Sequence, residues 1–342
     1  MNLLNKKFPT EKSPSVIIHL YYLLTSITFC YIYYHKFIVK ADFFGAFSSG
    51  GIYAVLNFEA VKPIQFRILI PAIFKAMKLV FSFIPDESLF FLLTIVICYF
   101  VLLMFYFLLN EYFQSRAHNC WLAPFIIYPM IWNFIIMNGQ FFYMDFSVLL
   151  IIIIGLIFIV KEKYNYLLLL FFIGTLNHPS VGYLIIAFLL YNYRNPLKPK
   201  TIIYSLAMAV IYAGVYSVMN KVFPSEEGYF VVFNLYRNLS LVDILPMHII
   251  ARDFFFNFGG MHFFILIFFI TTAWHRYISP KMMINLTIIP YVLSVFIFFS
   301  VEEIRNYIAL IPFVVILCLL YLSTFENSFL KPYNDVKTTE KK

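Results

Sequence analysis

The stretch from Asp145 to Asn192, DFSVLLIIIIGLIFIVKEKYNYLLLLFFIGTLNHPSVGYLIIAFLLYN, decides how this chain folds. Residues 145–160 form an apolar run with no alternation and no polar face, and Lys161-Glu162-Lys163 closes it. Two more apolar runs, 165–177 and 181–192, meet at Asn177-His178-Pro179. A helix that is hydrophobic all round belongs in the heart of a large protein or in a bilayer. Recurrence decides between the two, because similar runs fill the chain at 16–38, 88–109, 120–138, 201–222, 258–275, 282–300 and 307–323. About 20 apolar residues cross a bilayer. Composition agrees: 62% of the 342 residues are hydrophobic and only 12% are charged, against about a quarter charged in a soluble domain. Soluble enzymes, disordered scaffolds and DNA-binding domains are thereby excluded. The fold class expected is an all-α polytopic membrane protein with about 8–10 transmembrane helices.

At 1.5 Å per residue, the runs 165–177 and 181–192 fall short of a full span. They read as a broken hairpin of short helices whose polar tip lies partway into the bilayer, a position tolerated only beside a protein-lined or wet cavity. Residues 66–84 differ again, since Arg67, Lys75, Lys78 and Pro71 interrupt the apolar positions. That pattern predicts an amphipathic helix lying on the outer interface.

The net charge of +8 does not indicate nucleic acid, because the Lys and Arg residues sit in short loops where the positive-inside bias accounts for them. With the N-terminus inside, Lys6, Lys7, Arg116, Lys161, Lys163, Lys200, Lys281 and the C-terminal lysines all fall on the cytoplasmic side. The expected layout is a cytoplasmic tail over 1–15, one integral membrane domain over 16–323 and a second cytoplasmic tail over 324–342. No small-residue cleavage site follows the first apolar run, so that run reads as a retained helix. Cys30, Cys98, Cys120 and Cys318 lie within apolar runs at unpaired spacings, which predicts neither a disulfide nor a zinc site.

The same layout gathers the acids and several polar residues on the outer side, and ionisable groups close to hydrocarbon are functional candidates by default. Asp42, in the first outer loop, reads either as a solvated acid or as a general base able to take a proton from a hydroxyl. Glu59 is its substitute. Arg67 reads as a snorkelling interfacial residue or as a bidentate grip on phosphate. Asp145 either caps the helix it begins or binds substrate. Asn177 and His178 stand at the hairpin tip, as packing residues or as substrate contacts, with no second His or Cys nearby to suggest a metal. Glu303 and Arg305 either pair with each other or place the arginine on a diphosphate. No P-loop, dinucleotide fingerprint, zinc-protease or nucleophile-elbow motif is present, so no cofactor is expected.

Taken together, Asp42, the stretch Gln65-Phe66-Arg67-Ile68-Leu69-Ile70-Pro71, Asp145-Phe146, Thr175-Leu176-Asn177-His178-Pro179 and Glu302-Glu303-Ile304-Arg305 resemble the multi-pass glycosyltransferases of the GT-C superfamily. The resemblance implies an acidic base in the first outer loop, here Asp42, and a polyprenyl-phosphate sugar donor held by Arg67 and Arg305. It also implies a glycan or lipid-linked acceptor and a bacterial plasma membrane. The chain departs from that pattern at the hairpin tip, where Asn177-His178-Pro179 stands in place of an Asn-Arg-Glu-type stretch. A long apolar helix, a Lys-Glu-Lys turn and a short helix ending near His178 also resemble polysaccharide polymerases of the Wzy and EpsG type. A flippase or transporter of lipid-linked glycans is the non-enzymatic alternative, since transporters too use broken helices around a polar site.

Overall fold

The computed structural model describes residues 15–38, 52–60, 64–136, 145–223, 234–240, 257–271, 279–298, 304–325, 330 and 332. Among the described residues the chain is helical, and the one departure is an isolated antiparallel bridge between Phe113 and Pro332. The helices are α1 (Val16–Tyr33), α2 (Ile52–Leu56), α3 (Leu69–Val80), α4 (Asp86–Tyr112), α5 (Arg116–Leu122), α6 (Ile127–Met130), α7 (Asp145–Val160), α8 (Tyr164–Thr175), α9 (Tyr183–Tyr191), α10 (Pro199–Val222), α11 (Leu235–Leu239), α12 (Met261–Ile270), α13 (Pro280–Asn285), α14 (Ile288–Phe298) and α15 (Ile311–Leu322). Five segments are long and apolar enough to cross a membrane: Val16–Lys36, Asp86–Tyr112, Arg116–Ile136, Pro199–Val222 and Pro280–Phe298. Shorter apolar helices occupy Asp145–Val160, Tyr164–Thr175, Pro179–Tyr191, Asn257–Ile270 and Tyr307–Leu322. This is an all-helical polytopic membrane protein.

Two of the long segments are not single helices. Arg116–Ile136 passes from α5 through a 3-10 turn at Ala123–Ile126 and α6 into a π-helical turn at Ile131–Ile136. Pro124 and Pro129 explain the changes of pitch, because each lacks the N–H of a regular turn and crowds the preceding one. Pro290 acts likewise between α13 and α14, which are separated at Leu286–Thr287.

Helix α7 stands at the centre. It packs against α4, α8, α9 and α15, and all of its residues except Leu150, Ile154 and Phe158 are buried. Glycines set the closest approaches. A Cβ on Gly155 would come within 2.6 Å of Leu184 on α9, and one on Gly174 within 2.7 Å of Ile151 on α7. Helices α1 and α10 lie at the periphery, with Leu20, Leu24, Ile203, Leu206 and Val210 exposed. A smaller apolar cluster joins α2 and α3 to the start of α4 through Ile52, Val55, Ile70, Phe74, Leu89, Phe90 and Phe223.

The helix ends fall into two sets that contact only their own kind among the hydrogen bonds and ion pairs described. One set joins Tyr53 to Asp86, Leu69 to Leu176, Asn133 to Asn257 and Asn238 to Phe296. At the opposite end, Lys161 reaches Glu111 at 3.5 Å, the Lys281 ammonium donates to the Glu111 carbonyl at 2.9 Å, and the Tyr112 hydroxyl donates to the Lys281 carbonyl at 3.0 Å. Leu330 is buried there, and Gln114 donates to the Pro332 carbonyl at 3.2 Å.

Candidate functional site

Asp145 begins α7 and is buried, with 5% of its surface exposed. A carboxylate in a first helical turn is favoured by the unpaired N–H groups and the positive end of the helix dipole. Two residues on, the buried Ser147 hydroxyl donates to Asn177 Oδ1 at 3.0 Å. Asn177 is fully buried, and its Nδ2 meets no hydrogen-bond acceptor among the described residues. Buried amide donors are nearly always satisfied, so an unmatched one marks a place where an acceptor is wanted.

The tip that carries Asn177 is formed locally. Helix α8 ends as the Asn177 and His178 N–H groups both turn back to the Gly174 carbonyl, at 2.9 and 3.0 Å. His178 is extended and its Nδ1 accepts the Ser180 N–H at 3.1 Å, capping the 3-10 turn Pro179–Gly182. With Nδ1 accepting, the neutral ring carries its proton on Nε2. Below the tip, Ser180 hydrogen-bonds Tyr291 at 3.1 Å, Tyr183 hydrogen-bonds Ser294, and the Tyr212 hydroxyl donates to the Pro179 carbonyl at 3.3 Å.

Arg67 follows a 3-10 turn at Ile64–Phe66 and precedes α3. The Leu69 N–H donates to the Leu176 carbonyl at 3.1 Å, which joins this segment to the hairpin tip. Phe66 packs on Tyr216 of α10 with ring centroids 4.9 Å apart, and the Arg67 charge acts on the same tyrosine. Arg67 is 8% exposed. Most of its surface is covered by protein, where a charge is costly unless something polar answers it.

Around Asp145 the packing is aromatic. Phe146 contacts Phe134 at 4.7 Å and Tyr33 at 4.9 Å between centroids, which brings the end of α1 and the π turn to the start of α7. The 3-10 run Ile304–Leu310, whose backbone includes Arg305, packs on α7 as well. Arg67, Asp145, Asn177 and His178 are thus gathered at one end. Glu59 lies towards the same end, but no hydrogen bond or ion pair among the described residues links it to them. It is exposed in the coil after α2, held by its own N–H to the Ala54 carbonyl at 2.8 Å. Asp42, Glu303 and the side chain of Arg305 lie outside the described residues, as do Glu226, Glu227, Asp243, His248, Arg252 and Asp253, the charged residues of the stretch 223–257 between two apolar runs.

Sequence reasoning missed Ser147, Tyr216 and Asn133. Asn133 is fully buried in an apolar segment, and a polar residue there was the signal available. Its Nδ2 donates to Asn257 Oδ1 at 3.2 Å and its Oδ1 accepts the Phe258 N–H at 2.9 Å. These bonds hold Phe258, Gly259 and Gly260 in consecutive left-handed conformations, with φ of 51, 62 and 80°. No group of three or more His, Cys, Asp or Glu that could hold a metal occurs among the described residues. Comparison with known protein families, with curated proteins and with solved structures found no match.

Proposed function

We propose that this chain is a multi-pass membrane glycosyltransferase that moves a sugar from a polyprenyl-phosphate donor to a glycan or lipid-linked acceptor at the outer face of a bacterial plasma membrane. One observation carries the reading. A buried guanidinium, Arg67, and a buried amide donor without an acceptor, Asn177 Nδ2, occur on segments joined by a backbone hydrogen bond, close to a buried carboxylate. Donors of this kind, preorganised away from water, suit the oxygens of a departing phosphate. In this reading the ten apolar segments are eight spans and the broken hairpin α8–α9, both termini are cytoplasmic, and α3 is the interfacial helix.

The reaction balances simply. An acceptor hydroxyl gives its proton to the Asp42 carboxylate, or to Glu59, and its oxygen bonds to the anomeric carbon as the bond from that carbon to the phosphate oxygen breaks. The phosphate leaves on the lipid with the added charge, held by Arg67, Arg305 and the Asn177 amide. Asp145, His178 and Glu303 line the acceptor side. No cofactor enters the scheme.

A carrier would have to break the ties at the opposite end in one of its states, whereas a transferase can keep them. A carrier opens its polar site to each side in turn, whereas the far ends of α4, α7 and α13 are tied together by Glu111, Lys161, Tyr112 and Lys281. The polymerase reading keeps one supporting observation, the succession of α7, the Lys161-Glu162-Lys163 turn and the short α8 ending before His178.

Mass spectrometry of surface glycans and polyprenyl-linked intermediates, in a deletion strain beside its complemented parent, tests the proposal. Loss of one sugar from an otherwise intact glycan supports the transferase. Loss of the long-chain ladder with single units retained supports the polymerase, and unchanged profiles sink both. Within the transferase reading, Asp42→Asn is expected to abolish transfer by a protein still inserted at normal abundance. Full activity in that variant moves the base to Glu59.

A further inference from the structure

We infer that the turn joining α3 to α4 is a membrane anchor, inserted among the acyl chains of the leaflet at the site-bearing end of the protein. One face of α3 is covered, and the end of the helix is bare. Ile70 and Phe74, near the hairpin tip and the α4 start, are each 1% exposed, whereas Leu79, Val80 and Phe83 are 80%, 69% and 81% exposed. A turn facing water would carry polar residues at such positions.

These side chains do not stand out because the turn is loose. The Phe81 N–H donates to the Met77 carbonyl at 2.8 Å and the Ile84 N–H to the Phe81 carbonyl at 3.1 Å. The Lys78 ammonium donates to the Ile84 carbonyl at 2.6 Å and pairs with Asp86 at 2.5 Å, and Tyr53 hydrogen-bonds the same carboxylate. The backbone is pinned, and the apolar side chains are held outward.

The occupant follows from continuity. Leu92, Val96 and Phe100 are exposed at four-residue spacing along α4, so they form one face of a membrane-spanning helix, and that face meets lipid. Leu79, Val80 and Phe83 stand just before the start of that helix, with the exposed Pro85, Glu87 and Ser88 between them and Leu92, so their apolar surface lies at the end of the lipid-facing segment. Local charge does not select an anionic surface, because Lys78 is paired with Asp86 and the exposed Lys75 is offset by the exposed Glu87. The partner is therefore the acyl layer of a phospholipid leaflet irrespective of headgroup. Arg67 immediately precedes α3, so the anchor fixes the outer limit of the element that carries it.

The test is independent of sugar transfer. The full chain carrying Phe83→Cys is labelled with a polarity-sensitive fluorophore and placed in phosphatidylcholine vesicles, with Leu79→Cys as a second reporter and the exposed Gln114→Cys as a water-facing reference. The labels at 79 and 83 are expected to be quenched severalfold more by lipids carrying a nitroxide on the acyl chain than by aqueous iodide, with the reverse at 114 and with no change when phosphatidylglycerol is added. Quenching by iodide at 79 and 83 comparable with that at 114 overturns the anchor. So does protection that appears only as protein density rises, which would assign the surface to a second copy of the chain.

Discussion

Ser147 and Asn177 show how much a single hydroxyl can settle. Replacing Ser147 with Ala removes one buried hydrogen bond, so the protein is expected to lose about 1 kcal/mol of stability, read as a lower melting temperature in detergent. Transfer should fall further than stability does, because Asn177 is no longer held in one orientation. An activity loss no larger than the stability loss would reduce Ser147 to packing. Tyr53 offers a pH-dependent test. Burial first, and then the hydrogen bond to Asp86 with the negative charge of Asp86 and Glu87, push its phenol up to about 12, from an ordinary value of about 10. A raised folded value means that the contribution is complete below about pH 10 and is lost as pH rises towards about 12. The stability gap between the natural chain and Tyr53→Phe should therefore shrink across that window; an unchanged gap counts against the assignment. At this scale the sequence displayed the charges of Arg67 and Asp145 and the amide of Asn177. It did not display their burial, which depends on a bond between residues as distant as Leu69 and Leu176. Asn133 was hidden for the same reason, its partners lying 124 and 125 positions along the chain.

Among the elements, α8 is positioned by a glycine. A Cβ on Gly174 would meet Ile151 Cγ2 at 2.7 Å and Val181 Cγ1 at 2.9 Å. Both neighbours are buried and β-branched, so neither moves aside readily. Overpacking of this kind costs about 1–3 kcal/mol, more than the roughly 1 kcal/mol that alanine gains over glycine within a helix. Gly174→Ala is thus expected to lower the melting temperature and to displace the tip that carries Asn177. Adding Ile151→Ala should restore part of the loss, and strict additivity of the two changes would refute the steric account. The apolar runs marked the helices well, because lipid and protein interior ask for the same residues. They did not mark the breaks inside Arg116–Ile136 and Pro280–Phe298, where the prolines were visible but the choice of 3-10 or π pitch depends on the packing of neighbours.

For the molecule as a whole, the helical, membrane-spanning character was legible in the apolar runs, while the central place of α7 was not. A helix with no polar face looks the same to a reader of sequence whether lipid or protein surrounds it. Its neighbours α8 and α9 carry a consequence for the bilayer itself. With 12 residues, α8 rises about 18 Å, yet it exposes Tyr166, Leu169, Phe172 and Ile173. Beside it, the 24 residues of α10 rise about 36 Å. Where lipid meets α8 directly, matching its length would thin the hydrocarbon along that flank, at a cost of fractions of a kcal/mol for each Å of mismatch. Reconstituted into a series of phosphatidylcholines, the protein is expected to melt highest in the shorter-chain members, and a melting temperature that climbs steadily with chain length would contradict the thinning. In a cell membrane of uneven thickness, the same mismatch would gather the protein into the thinner patches without any address written in its sequence.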